Sequence, residues 1–280
     1  MQHPELVPEL PPGVIALEWG YEATHPFAEH GARFAESGIP FYVCPGTSAW
    51  CTIGGRTDNA LGNLRAAAEH GLRHGAVGYL NTDWGDRGHW QALPVSYLGF
   101  AVGAALSWAF EANQNVNLPA ALDRFAFHDT AGVAGRVAYD LGNIYRALGF
   151  EPGNSSALFW AMQRPVASVR ADTNVLPAGF ARALEAIDEV TATLPQAQFA
   201  GPDGALLARE LAQTVRLLRH ACQRGLYAHN PDAAQAQALA NDMRAIIAEY
   251  REVWLARNRP GGLPDSVARF EAALADYQGA

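Results

Sequence analysis

The chain has 280 residues, of which 49% are apolar and 17% charged. That balance excludes a disordered or fibrous chain, and the length admits one large domain or two modest ones. The net charge is −8, and all 20 basic residues are arginine. An acidic chain without a basic run is a poor binder of nucleic acid or anionic membranes, so neither is expected as a partner. Cys44, Cys51 and Cys222 are odd in number and at no metal-like spacing, which suits a reducing, cytoplasmic setting. Residues 1–13 lack the basic-then-apolar order of a signal peptide, and no uninterrupted run of 18 apolar residues occurs.

The first hundred residues alternate short apolar runs with helical spacing. Val14–Leu17 reads as a buried strand entered from the turn Pro11-Pro12-Gly13. His25–Glu36 has helical spacing and stops at Ser37-Gly38. Ile39–Cys44 is a second strand, rich in β-branched and aromatic residues. Asp58–His70 is a helix with Asp58 as its cap, Leu61, Leu64 and Ala68 as its stripe, and Gly71 as its end. Ala76–Leu80 is a third strand, followed by a loop over 81–90 and a helix near Ser96–Ala112. Strand and helix alternating at this spacing describe βα units on a parallel sheet.

Past residue 112 the strand signals vanish. Helices are expected near 118–128, 132–148, 178–193, 203–227, 232–257 and 265–277. Leu206, Leu207, Leu211, Val215, Leu218 and Cys222 make one apolar stripe; Met243, Ile246, Ile247, Tyr250 and Trp254 make another. The expected organisation is α/β over 1–112 and all-α over 113–280.

In parallel sheets, ligand chemistry sits past the carboxyl ends of the strands. Here those ends are Glu18–Glu22, Pro45–Trp50 and Thr82–Asp86, and each carries a tryptophan. A flat indole suits the apolar face of a pyranose, and a carboxylate accepts hydrogen bonds from sugar hydroxyls. Trp19, Trp50, Trp84 and Asp86 therefore suggest a carbohydrate pocket, with packing of rim loops as the alternative. Asp83, Asp86 and His89 have side chains that suit divalent ions. Their spacing matches no specific metal motif, and the simpler expectation is that Asp83 caps a turn and His89 bonds a loop carbonyl. Glu18, Glu22 and Asp86 are the carboxylates available for acid/base work. Gly54-Gly55-Arg56 reads as a tight turn. No phosphate loop, dinucleotide fingerprint or nucleophile elbow is present, so no cofactor is expected.

The segments Leu17–Phe27, Phe41–Trp50, Gly54–Asn59 and Gly78–Gln91, with the tail Trp254–Leu263, resemble glycoside hydrolase family 20, the β-N-acetylhexosaminidases. The likeness is greatest to a bacterial branch in which a helical domain follows the catalytic barrel. It implies that the three strands are the sixth to eighth of a TIM (β/α)8 barrel, so this chain would be a partial barrel of the last three βα units. It places Trp19 in the wall around the acetamido methyl, Trp84 beneath the sugar, and Asp86 where the family usually has a glutamate for the outer hydroxyls. The family's acetamide-binding tyrosine falls on Trp50, whose indole N–H can donate the same bond. An aspartate that follows in the family falls on Thr52. The substrate so implied is an amino-sugar glycoside.

The resemblance also implies an absence. The family's chemistry needs an adjacent Asp-Glu pair after the fourth strand, with the glutamate as general acid and the aspartate orienting the substrate's acetamido group. No such pair occurs in the rim loops; Asp188-Glu189 lies within a helical pattern and reads as a solvated face. The family's sugar-gripping first-strand arginine has no counterpart either. Five strands would be missing, and the chain alone is expected to be inactive. Two other readings remain: a non-catalytic sugar-binding subunit that completes its barrel with another chain or copy, and an enzyme using Glu18, Glu22 or Asp86.

Overall fold

The computed structural model describes residues 3–278. It contains a three-stranded parallel sheet followed by a mostly helical remainder. Strands β1 (Ala16–Trp19), β2 (Phe41–Cys44) and β3 (Gly78–Tyr79) lie in the order β1-β2-β3. Helix α1 (Phe27–Ser37) joins the first pair and α2 (Thr57–Arg73) the second. Gly38 ends α1 at φ 72°, a left-handed position that glycine adopts without steric cost. β3 is shorter than the apolar run suggested, but pairing continues irregularly beside it. Val77 N–H donates to Phe41 O and Leu80 N–H to Val43 O, and Gly46 bridges Thr82.

The register decides which side chains share a face. Leu17 lies beside Tyr42 and Gly78, while Glu18 lies beside Val43 and Tyr79. Phe41 and Val43 pack with Phe27, Phe34, Val7 and Ala67 under α1 and α2. The opposite face is open: Leu17 is 54% and Trp19 65% exposed. Gly78 leaves room for the Tyr42 ring on that face, since a Cβ there would sit 2.4 Å from it and displace it.

After the loop over 81–92 comes α3 (Leu93–Trp108), then α4 (Phe110–Asn113), α5 (Leu118–Leu122) and α6 (Ala134–Leu141). Gly99 of α3 presses on Thr47, with a Cβ position only 2.6 Å from the Thr47 Cα. Two helices were not anticipated, α7 (Ala157–Gln163) and α8 (Val166–Thr173). The expected later helices are α9 (Pro177–Thr191), α10 (Gly204–His229), α11 (Ala233–Arg257) and α12 (Leu263–Asp276). Leu207, Leu211, Val215, Leu218 and Cys222 are buried, as are Met243, Ile246, Ile247 and Tyr250. Both stripes thus lie in cores except at one end of each, where Leu206 and Trp254 are half-buried.

The expected boundary at 112/113 falls inside α4, and the largest core crosses it. Trp50, Cys51, Ile53 and Trp90 pack in one cluster with Phe159, Phe180, Leu218 and Phe270. Trp90 stacks on Phe270 of α12 at 4.1 Å, and its indole N–H donates to Ser266 O. Asp58 does not cap α2. Arg56 is the flanking residue, and the Asp58 carboxylate instead pairs with Arg146 and accepts from Asn143. Long-range charge pairing has outcompeted the local cap. No helix among the described residues is long and apolar enough to cross a membrane.

Candidate functional site

The carboxyl ends of the three strands surround a cavity of about 520 Å³. Its lining includes all four residues singled out from sequence, Trp19, Trp50, Trp84 and Asp86, with Tyr21 and Asn154. β1 delivers Trp19 on the open face of the sheet. The β2 loop delivers Trp50, and the β3 loop delivers Trp84 and Asp86.

Tyr21 is the aromatic hub. Its ring lies 5.7 Å from Trp19, 4.9 Å edge-on from Trp50 and 6.3 Å from Trp84, and its hydroxyl accepts from the Trp84 indole N–H. Trp19 and Trp84 remain exposed, so each offers a ring surface to a ligand. Trp50 is 1% exposed and seats its ring against Gly46, where a Cβ would lie 2.3 Å from it. Its indole N–H donates to Asn154 Oδ1 at 3.0 Å. That donor is therefore spent inside the protein, and the role inferred for it from the resemblance, donation to an acetamide oxygen, is not open to it in this arrangement. Thr52 is a turn builder: fully buried, it donates to Ala49 O and accepts from Gly55 N–H. Gly54-Gly55 makes the expected turn, with Gly55 at φ 94°.

Among the described residues Asp86 is the one carboxylate on the cavity wall. It opens a short turn in which Arg87 and His89 take φ 53° and 49°. Non-glycine residues in that region are held by their surroundings, and such strain concentrates near functional sites. Asp83 points elsewhere. It accepts from Thr47 and Ser96 hydroxyls, tying the β2 and β3 loops to α3 rather than capping a turn. Among the described residues His89 bonds no loop carbonyl: its Nδ1 is buried without a partner there. Burial lowers the His89 pKa, against the raising influence of the Asp83 charge.

The other two carboxylates are held as anions. Glu22 is gripped by both Arg56 terminal nitrogens at 2.9 and 2.7 Å and accepts the Asn154 backbone N–H at 2.6 Å. Burial works to raise its pKa, but these contacts hold it below the ordinary carboxylate value. Glu18 is buried, and its Oε1 meets His25 Nε2 at 2.7 Å and His30 Nδ1 at 2.6 Å. Burial again works upward, and the two histidines outweigh it. Neither glutamate is poised as a proton donor, which needs a raised pKa.

Glu18, His25 and His30 offer one oxygen and two nitrogens within 4.8 Å of one another, a donor set suited to zinc. Ligands around a tetrahedral ion with bonds of ~2.0–2.1 Å stand about 3.3 Å apart. The two carboxylate–imidazole distances, 2.7 and 2.6 Å, are shorter than that and are hydrogen bonds, so an ion would have to replace both. Among the described residues, Asp83, Asp86 and His89 form no such cluster. Asp188 and Glu189 are exposed on α9, where Asp188 pairs with Arg219.

Sequence reasoning did not single out Tyr21 or Asn154. Tyr21 sat within a strand end already suspected, and an aromatic between Trp19 and Glu22 was its only signal. Asn154 lies 104 residues from Trp50, in a Gly153–Ser156 turn with no feature pointing to the sheet. A scan of the chain against protein-family models finds no match, and a comparison with curated proteins finds no relative.

Proposed function

We propose that this chain carries the sugar-binding part of a β-N-acetylhexosaminidase-like glycoside hydrolase, with its three βα units acting as the last three of a (β/α)8 barrel. The substrate class is a terminal β-linked N-acetylglucosamine or N-acetylgalactosamine. One observation carries the reading: Trp19, Trp50, Trp84 and Asp86, widely separated in sequence, line a single cavity at the carboxyl ends of parallel strands. Trp84 offers a half-exposed ring for the sugar face. Trp19 forms an exposed wall. Asp86 accepts hydrogen bonds from hydroxyls. Trp50 is the floor.

The same residues do not complete a catalytic set. Glycoside hydrolysis uses a pair of carboxylates, and among the described residues this cavity wall offers one, Asp86. Glu18 and Glu22 are held as anions by His25, His30 and Arg56, which disfavours the reading that recruits them. The chain alone therefore binds an amino sugar and does not hydrolyse its glycosides. NMR titration with N-acetylglucosamine tests the binding. Trp84→Ala is expected to weaken it about tenfold, near the ~1–1.5 kcal/mol of one ring contact. Absence of binding at millimolar sugar would overturn the reading. Turnover of a chromogenic N-acetylglucosaminide by the pure chain would overturn the inactivity.

A second reading, a subunit that completes its sheet with another chain or copy, is favoured by a separate observation. β1 and β3 each lack a strand on one side among the described residues, and Leu17, Val77 and Leu80 are exposed there. Light scattering tests it: an assembly supports it, and a monodisperse monomer argues against it. A cytoplasmic setting is in keeping with three unpaired buried thiols.

A further inference from the structure

We infer that Asn154, delivered by the helical part of the chain, is a specificity-determining hydrogen-bond donor for an N-acetyl group in this cavity. The inference rests on the amino-sugar reading and adds to it a residue from outside the strand ends.

Two hydrogen bonds, one from the backbone and one to the side chain, hold the residue in place. Asn154 has φ 53°, a left-handed conformation that asparagine tolerates better than most residues. Its backbone N–H is anchored on Glu22 Oε1 at 2.6 Å, and Glu22 is itself clamped by Arg56. Its side-chain oxygen accepts from Trp50 Nε1 at 3.0 Å. An indole nitrogen only donates, so the amide atom facing it must be oxygen. The usual ambiguity in the orientation of an asparagine amide is thereby removed. The Nδ2 group faces the other way, and its two hydrogens have no partner among the described residues. Asn154 is exposed, lining both this cavity and the neighbouring one beside Glu22 and His25.

Most other polar groups on the wall are engaged or of opposite character; the exception is the Tyr21 hydroxyl, which accepts from the Trp84 N–H and keeps its own proton, a second donor beside Asn154. The Thr82 hydroxyl donates to Pro45 O, and Trp50 N–H is committed to Asn154. Asp86, when ionised, only accepts. The Trp19 indole N–H sits on an exposed ring with no comparable anchor. An N-acetyl group presents a carbonyl that accepts and an N–H that donates. The Asn154 amide suits the carbonyl, and Asp86 suits donors elsewhere on the sugar. Trp50 thus acts through Asn154, holding in place the donor it cannot itself supply.

The test compares affinities of the whole chain for N-acetylglucosamine and for glucose by NMR titration, in the wild type, Asn154→Asp and Asn154→Gly. Asn154→Asp keeps an oxygen for Trp50 and removes the amide donor. Asn154→Gly keeps the left-handed backbone and the N–H to Glu22 while removing the whole side chain, and it adds no charge. One neutral hydrogen bond corresponds to roughly fivefold in affinity. The wild-type preference for N-acetylglucosamine over glucose is expected to fall at least that far in both variants, with unchanged near-UV circular dichroism. A preference unchanged in both variants, with the wild type binding the amino sugar, would overturn the inference and leave the amino-sugar reading standing. A wild type that binds neither sugar would overturn both.

Discussion

Trp90 offers a quantitative test of whether the strand-end loops and the last helix form one cooperative unit. Its indole is 2% exposed, lies 4.1 Å from Phe270 with planes 8° apart, and meets Phe159 edge-on at 5.6 Å. Trp90→Ala removes a fully packed ring and is expected to cost about 3–5 kcal/mol. Trp90→Phe keeps a ring over Phe270 and loses the N–H bond to Ser266 O. That carbonyl lies inside α12 and retains its helical partner, so the Phe variant should lose only about 1–2 kcal/mol. A double-mutant cycle with Phe270→Ala should give a coupling of about 0.5–1.5 kcal/mol for the stacked pair. Each kcal/mol moves the melting temperature of a chain this large by roughly 2–4 °C, so Trp90→Ala should melt about 6–20 °C lower. Urea and thermal unfolding, followed by far-UV circular dichroism, measure all three quantities. Additivity within ~0.3–0.5 kcal/mol would refute the stacking argument. A transition that splits in two would refute the shared core.

Three further outcomes are expected. Gly99→Ala drives a Cβ to 2.6 Å from the Thr47 Cα, so α3 must shift; a loss of about 1–3 kcal/mol in denaturant titration is expected, and a neutral result would contradict the close approach. Glu18 has a folded pKa below its ordinary value of 4.5, so the native state binds fewer protons than the unfolded chain near that pH. Its contribution is present above pH ~4.5 and is lost as acidification proceeds through and below that value. Glu18→Gln should destabilise the protein by about 1–3 kcal/mol at pH 7 and flatten the acid limb of the stability profile; an unchanged acid limb would sink this assignment. Burial pushes the Cys44 and Cys51 thiols up to about 11, and raises that of Cys222 as well. All three should resist Ellman's reagent in the native protein and react fully in guanidinium; rapid labelling of the native chain would contradict their burial.

Periodicity made the long elements legible. The stripes of α10 and α11 recur every three or four residues over many turns, and the spacing alone places Leu207 and Met243 inside. The strands were legible because Phe41–Cys44 is β-branched and aromatic between turn residues. Helices α7 and α8 were not. Ala157, Leu158, Phe159, Ala161 and Met162 are buried almost all round, which leaves no stripe to read, and Pro165 interrupts the run. At the site, chain direction on a parallel sheet was enough to collect three tryptophans and Asp86. It could not show that Trp50 is sealed in the core, because burial depends on helices from the far half of the chain. Asp58 shows the same limit in reverse. It had the composition of a cap, and Arg146, 88 residues away, claimed its charge.

The Trp90–Ser266 contact spans 176 residues, and it sets an order of events at the ribosome. Synthesis at ~5–20 residues per second leaves Trp90 waiting roughly 10–35 s for its partner to be made. Until α12 emerges, the loop that carries Trp84 and Asp86 has no lid over its apolar side. The strand-end loops are therefore translated well before the helix that secures them. Late in that interval the nascent chain exposes the Trp90 indole and the Phe159 ring beside it, the kind of surface that chaperones hold and proteases cut. A premature stop between residues 91 and 266 would leave the cavity's third wall unsupported, although Thr82, Trp84 and Asp86 had been translated.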